Sequence, residues 1–305
     1  MAISRAQMMK ELLPGLNALF GLEYNLYEDE TAAVYETESS ERAFEEEVKL
    51  AGFGAAPVKS EGSAITYDTA QEHFTARYNH ETVAMGFAIT EEAVEDNLYD
   101  SVSARYTKAL ARAMAHTKQV KGAFPINNAF ATTNFTAGDG NALCSSRTVV
   151  GGETVTNVLA TASDLNETSL EQAVIDIAAF VDERGLLLAE RPRKLVIAPY
   201  NQFAATRILE SELRVATADN DINALRTNGT IPEGYTVNHF ITTANKKWWF
   251  LLTDVPNGMK HFQRTPLQTG MDGDFDTGNV RYKARERYSF GVSDYLGIFG
   301  SGNIT

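Results

Sequence analysis

A chain of 305 residues with 44% hydrophobic and 22% charged residues has an ordinary globular composition, which excludes a disordered or collagen-like protein. Length gives a prior of about two domains, and a compact chain of this mass would expose about 12,700 Å² when folded. The 27 Lys and Arg against 40 Asp and Glu leave a formal net charge of −13, the wrong sign for a dedicated nucleic-acid reader.

The acidity is uneven. Residues 1–100 hold 6 basic and 20 acidic side chains, and the remainder 21 and 20, so the excess lies in the first third. It is densest at Glu36, Glu38, Glu41, Glu45, Glu46 and Glu47, a face that repels phosphate and keeps concentrated protein soluble. No run approaches eighteen apolar residues, so no spanning helix is expected, and residues 1–20 lack the apolar stretch and cleavage site of a secretory signal. The single cysteine, Cys144, excludes an intrachain disulfide and a thiolate-rich zinc site, and points to a reducing cytoplasm.

In residues 1–40, Pro14, Gly15 and Gly21 interrupt any long element, so this stretch reads as an extended arm with a short helix near 7–13. Residues 39–44 open a brief acidic helix and 48–53 a short strand. Ile65 and Tyr67, then Phe74, Ala76 and Tyr78, alternate with polar residues, the period of half-buried strands. Residues 54–80 therefore read as a long hairpin of about 12 residues per arm, roughly 40 Å. A lone hairpin is only marginally stable in water, so its apolar face rests either on its own domain or on another subunit. Past Glu81 the apolar positions turn from even to odd, at Val83, Met85, Phe87 and Ile89. That slip implies a bulge or a passage into a different sheet.

Thr90 can cap a long helix, with Glu91, Glu92, Glu95 and Asp96 in its first turns and Lys118 and Lys121 near its last, both favourable to the macrodipole. Val94, Leu98, Val102, Tyr106, Leu110, Ala113 and Met114 form its apolar stripe, and Gly122 terminates it. At about 45 Å such a helix is a spine rather than one packing element of a small domain. Residues 123–166 read as loops with short strands, with a turn at Asp139-Gly140. Thr168-Ser169-Leu170-Glu171 fits a capping box, opening a helix that Gly185 ends. A buried strand at 195–198, a helix at 201–210 and a hairpin of 236–242 with 247–253 follow. The arm carrying Trp248, Trp249 and Phe250 is apolar on both faces and so central. Helices alternating with strands over 165–255 indicate an α/β domain. The chain closes with 259–264, a Gly- and Asp-rich loop and a long strand at 280–290.

Catalytic motifs are missing. There is no phosphate loop, nucleophile elbow or HExxH helix, and Gly52-Phe53-Gly54 lacks the third glycine of a dinucleotide site. His73, His80, His116, His239 and His261 are scattered and read as packing or surface residues, and Ser145 and Ser146 have no local base. Asp272-Gly273-Asp274-Phe275-Asp276 fails as a calcium loop, because Thr277 and Lys283 stand where glycine and glutamate belong. No cofactor or metal is expected. One charge pattern remains: Arg281, Lys283, Arg285 and Arg287 alternate along a strand and share one face. Four cations on a chain of this net charge make a weak nucleic-acid binder. Pairing with carboxylates is preferred, on an adjacent strand or on the acidic first third of a neighbouring subunit.

The order arm, hairpin, spine helix, α/β domain and return strand resembles that of the major capsid proteins of tailed bacteriophages. The resemblance rests on Ala56-Pro57-Val58-Lys59-Ser60-Glu61-Gly62, Gly86-Phe87-Ala88-Ile89-Thr90 and Lys194-Leu195-Val196-Ile197-Ala198-Pro199. Phe275-Asp276-Thr277-Gly278-Asn279 running into Tyr288-Ser289-Phe290-Gly291 adds to it. It implies an α+β, Hong Kong 97-type fold, with an N-terminal arm and first peripheral segment at 1–54 and an extended hairpin loop at 55–80. A peripheral domain at 81–165 would hold the spine at 91–121, the axial domain would span 166–262, and 263–305 would return to the peripheral domain.

The function implied is that of a shell subunit, not an enzyme. Copies would form pentamers and hexamers of an icosahedral shell in the virion, assembled in the host cytoplasm around double-stranded DNA held by non-specific contacts, with no membrane. A separate scaffolding protein, a portal and a decoration protein are further partners that the resemblance implies. Subunit contacts are expected at Lys59, Glu61, Phe74, Arg77, Tyr78, Arg281, Lys283, Arg285 and Arg287. Lys59 is placed for a covalent cross-link of the kind some relatives make, but no matching asparagine or acid is found and none is expected. An encapsulin-like compartment shares the fold and is the alternative; a cytoplasmic α/β enzyme is the alternative of another class.

Overall fold

A computed structural model describes residues 5–90, 92, 99–214, 221–274 and 278–302. Its elements are helix α1 (Arg5–Leu26), strands β1 (Glu36–Ser39), β2 (Phe44–Ala51), β3 (Gln71–Asn79) and β4 (Glu81–Ile89), and helix α2 (Tyr99–Asn127). Strands β5 (Ser146–Thr148) and β6 (Thr154–Thr156) follow, then α3 (Glu167–Ala178), β7 (Pro192–Ile197), α4 (Gln202–Glu210), α5 (Ala224–Thr227) and β8 (Tyr235–Val237). The chain ends with β9 (Trp249–Thr253), β10 (Met259–Gly273), β11 (Val280–Val292) and β12 (Ile298–Ser301).

Two four-stranded sheets organise the molecule, in the orders β1-β10-β11-β4 and β12-β9-β7-β8. In the second, alternation along the strands fills both faces. Leu195, Ile197, Trp249, Leu251 and Phe299 meet α3 on one side, while Val196, Phe250, Leu252 and Ile298 meet Ile126, Ala129 and Leu143 on the other. Strand β9 is buried throughout and interior, as its two apolar faces predict. The expected hairpin of 236–242 with 247–253 does not form: β7 lies between β8 and β9, parallel to one and antiparallel to the other. The chain's last strand also leaves the long sheet, since Ile298–Ser301 pairs with β9.

One face of the long sheet is covered by helices, the other only at one end by the hairpin residues Ala76 and Tyr78. Leu16 and Phe20 of α1, with Leu110 and Met114 of α2, pack on Tyr282 and Ala284 of β11. This burial explains why α1 runs through Pro14, Gly15 and Gly21, where an extended arm was expected. Leu13, Leu16, Phe20 and Tyr24 recur at helical spacing toward the sheet, and their burial outweighs the backbone penalties. The spine also passes its expected stop. Gly122 lies inside α2, where a Cβ would come within 2.3 Å of Thr31 Cγ2, and its carbonyl accepts the Tyr35 hydroxyl at 2.6 Å. That glycine permits a close approach and does not end the helix. The expected acid-rich opening of the spine at 91–98 lies outside the described residues, apart from residue 92.

Other local expectations shift for identifiable reasons. The acidic helix at 39–44 is replaced by strands β1 and β2, whose Glu38 and Glu47 meet Lys260 of β10. Helix α3 is capped by Asn166, which accepts from Ser169 N at 2.8 Å while the Ser169 hydroxyl accepts from Asn166 N, a box two residues upstream of Thr168. It ends at Ala178, and Gly185 instead occupies a turn at φ 82°. The phase change near Glu81 is a passage between sheets: β3 pairs with β2, and β4 with β11.

Candidate subunit interface

Strands β2 and β3 form an antiparallel hairpin whose second arm lies where expected, through Phe74, Ala76 and Tyr78, and whose first arm lies earlier, at Phe44–Ala51; residues 52–70 between them carry no regular structure. The neck of this loop is braced by Asp68. Its carboxylate accepts the Gly54 N–H at 2.8 Å and Arg184 at 2.9 and 3.0 Å, which hold its pKa down at about 2. Beyond the neck the side chains stand in water: Val58 is 98% exposed and Tyr67 86%, and Ile65 is also exposed.

The hairpin's inner face is anchored to its own chain. Phe74 packs on Tyr295 with ring centroids 6.1 Å apart, and lies against Gly138, where a Cβ would meet its ring at 2.7 Å. Tyr78 meets Phe262 edge-on at 4.7 Å and hydrogen-bonds the Ser293 hydroxyl. A polar cluster completes the anchor. Lys49 pairs with Asp294 and lies 4.0 Å from Glu183, which also accepts the Tyr295 hydroxyl at 2.9 Å and faces His73 Nε2 at 3.4 Å. His80 is buried between the Ser40 and Ser289 hydroxyls at 2.9 and 3.0 Å, and burial, then Arg287, holds its pKa below the usual value. The outer face is different: Phe44, Glu46, Val48 and Leu50 of β2 are exposed, as are Glu72, Thr75 and Arg77 of β3.

Two of the expected interface residues, Phe74 and Tyr78, are thus turned into their own chain. Arg77 faces outward, 3.7 Å from Glu46 and 4.0 Å over the Phe44 ring, and Lys59 and Glu61 are exposed in the loop. The basic residues of β11 share one face, opposite the helices. Arg281, Lys283 and Arg285 are exposed there, and Arg287 is half-buried with its Nε unpartnered. Arg281 pairs with Asp274. Lys283 and Arg285 stand opposite Gly86 and Ala84 of β4 and Gly270 and Gln268 of β10. Neither has an ion pair among the described residues, so the adjacent-strand carboxylates weighed for them are not there.

Sequence reading missed Lys49, Glu183 and Asp294, whose association depends on residues far apart in the chain. It also missed the apolar outer stripe of Phe44, Val48 and Leu50, a period-two pattern hidden inside the acidic run. A groove of about 380 Å³ between the hairpin base and the end of the spine exposes Val120 and Phe124. Among the described residues no cluster could hold a metal ion, and no helix is long and apolar enough to cross a membrane.

A long sheet crossed by a spine helix, a second sheet buried on both faces, and a hairpin carrying a long loop make up a fold of the Hong Kong 97 type. Residues 74–300 match the family model described as phage capsid protein, and the chain belongs to that family. It is a capsid protein. Among solved structures it is similar to the capsid of an empty GTA particle, at 14% identity and TM-score 0.57 over 92% of this chain and 91% of that one. The capsid of Myoviridae phage XM1 is similar at 12% identity and TM-score 0.54, covering 89% of each chain. The SrpI encapsulin of Synechococcus elongatus PCC 7942 shares the fold at 9% identity and TM-score 0.51, over 90% and 86% of the two chains. A search of curated proteins found no match.

Proposed function

We propose that copies of this chain tile into the pentamers and hexamers of an icosahedral shell that encloses the double-stranded DNA of a tailed phage. The observation that carries this reading is surface. The chain exposes 16861 Å², against about 12,700 Å² for a compact chain of its mass, and part of the excess is the apolar loop and hairpin face. Contacts that bury such surface between unlike patches repeat around a ring and close it.

In this reading the exposed loop within the expected 55–80 segment lies over the adjacent subunit, and the helix Tyr99–Asn127 is the spine of a peripheral domain that spans 81–165 and draws β11 and most of β10 from 263–305. Residues 166–262 form the axial domain, at the centre of each capsomer. The role is structural rather than catalytic, assembly takes place in the host cytoplasm, and scaffolding, portal and decoration proteins are the further partners. DNA contacts are non-specific, in keeping with a net charge of −13. The test is expression of the full chain followed by sedimentation and negative-stain electron microscopy. Hollow particles or capsomer rings support the reading; a stable monomer at high concentration contradicts it.

A further inference from the structure

We propose that α1 is a proton-controlled latch: it stays docked on the long sheet while the Glu286 carboxyl beneath it holds a proton, and lifts away when that proton is lost. The device belongs to the single chain and needs no second copy.

The carboxyl is shut in where α1, α2 and the long sheet meet. Its one bond comes from the Tyr24 hydroxyl in the last turn of α1, and its other oxygen has no donor. On β4 it stands opposite Val83. On β10 the ladder breaks at this level: Thr265 pairs with Arg287 and Gln268 with Arg285, so it skips Pro266 and Leu267. The ionisable groups around it are Tyr24, Asp29 of the turn after α1, Lys118 of α2 and Tyr288 of β11, with Glu81 of β4 and His261 of β10 at the border. Lys118 is the cation among them, and Asp29 holds it at 2.6 Å. A carboxylate formed here has one neutral donor and no cation of its own, and it gains solvation only if a cover moves.

Helix α1 is the cover that moves at least cost. The sheet is fixed by its ladders, and α2 runs on through Ile126 into the core beneath the second sheet, with its Gly122 carbonyl held by Tyr35. By contrast α1 rests on one stripe, Leu13, Leu16, Phe20 and Tyr24, and shows Leu22 and Leu26 to water on its other side. Its polar ties are few: Asn17 accepts the Thr269 and Tyr282 hydroxyls, Glu23 lies 4.0 and 3.6 Å from Lys108 and Arg112, and Tyr24 donates to Glu286. It contains Pro14, with no base in its last turn, so docking is what keeps it helical. Lifting it lets water reach Glu286 and bares Phe20 and Tyr282.

Burial pushes Glu286 up to about 7, while Asp29 stays ionised at about 2 and burial holds His261 neutral at about 4. Between pH 5 and pH 8 the carboxyl therefore titrates against a fixed Asp29 and His261. Docking is favoured below the ordinary carboxyl value of 4.5 and weakens as pH rises toward the docked value, so the open population grows about 70-fold from pH 5 to pH 8.

Hydrogen exchange of the full chain at the two pH values, corrected for intrinsic exchange chemistry, tests this. In wild type, protection over residues 13–26 is expected to fall by that factor while β9 is unchanged, and in Glu286→Gln it is expected to stay level. An equal pH response of α1 in the two proteins would overturn the latch. So would a loss shared by β9, which marks general destabilisation. Should the variant not fold, a wild-type pH series decides: opening confined to α1 that rises and then levels off above about pH 7 supports the latch, and any other profile overturns it.

Discussion

Glu286 sits on the covered face of β11, 3% exposed, where α1, the spine helix and the long sheet meet. Its Oε2 accepts the Tyr24 hydroxyl at 3.3 Å and its Oε1 has no partner. Nearby, Asp29 is held by Lys118 at 2.6 Å and Gln119 at 2.9 Å. Burial opposes ionisation of Asp29, but the bonds from Lys118 and Thr31 outweigh it and keep its pKa at about 2. Glu286 goes the other way: burial, only partly offset by Lys118 and Tyr24, pushes its pKa up to about 7 from the ordinary 4.5.

A carboxyl whose folded pKa is raised stabilises the fold fully below its unfolded value, and that contribution is lost as pH rises through the folded value. The window is therefore about pH 4.5 to 7, and the loss is on the order of 3 kcal/mol at 1.36 kcal/mol per unit. Glu286→Gln keeps an acceptor for Tyr24 and removes the titration. Thermal unfolding of the unassembled chain at pH 5 and pH 8 should show wild type losing on the order of 5 °C more than the variant. Equal pH slopes for the two proteins would refute the assignment of this cost to Glu286.

Three other outcomes follow from buried contacts. Arg147 is enclosed, with Nε 2.6 Å from Asp139 and its guanidinium 4.1 Å over the Tyr295 ring, so Arg147→Ala leaves a carboxylate and carbonyls unpaired. Urea titration should show a loss of about 3–5 kcal/mol. Trp249→Ala opens a cavity in the doubly buried sheet and should cost about 3–5 kcal/mol in the same assay. Gly138→Ala forces the Phe74 ring off its seat and should speed amide exchange across β3 at least several-fold while leaving β9 unchanged.

The elements with one dominant periodicity were legible before the structure. The β9 run is apolar on both faces and lies inside its sheet; the alternating cations of β11 do share a face. Errors came where tertiary packing overrides a local rule. Pro14 and Gly21 read as breakers until the row from Leu13 to Tyr24 is seen against the sheet, and Gly122 reads as a terminator until Thr31 is found beside it. The stretch at 39–44 read as a brief acidic helix because the lysine that joins the flanking strands through Glu38 and Glu47, Lys260, is more than two hundred positions away. The candidate interface was half legible for a similar reason. Alternation placed Lys283 and Arg285 on one exposed face, but whether Phe74 and Tyr78 face inward depends on Tyr295 and Ser293, which no local pattern connects to them.

Limited proteolysis of residues 52–70 in free subunits and in purified particles tests the central claim most directly, because an exposed apolar loop that copies of the chain must cover should change state on assembly. The account predicts rapid cleavage within the loop before assembly and protection of at least tenfold afterwards. Equal cleavage in both states, with intact particles throughout, would contradict it.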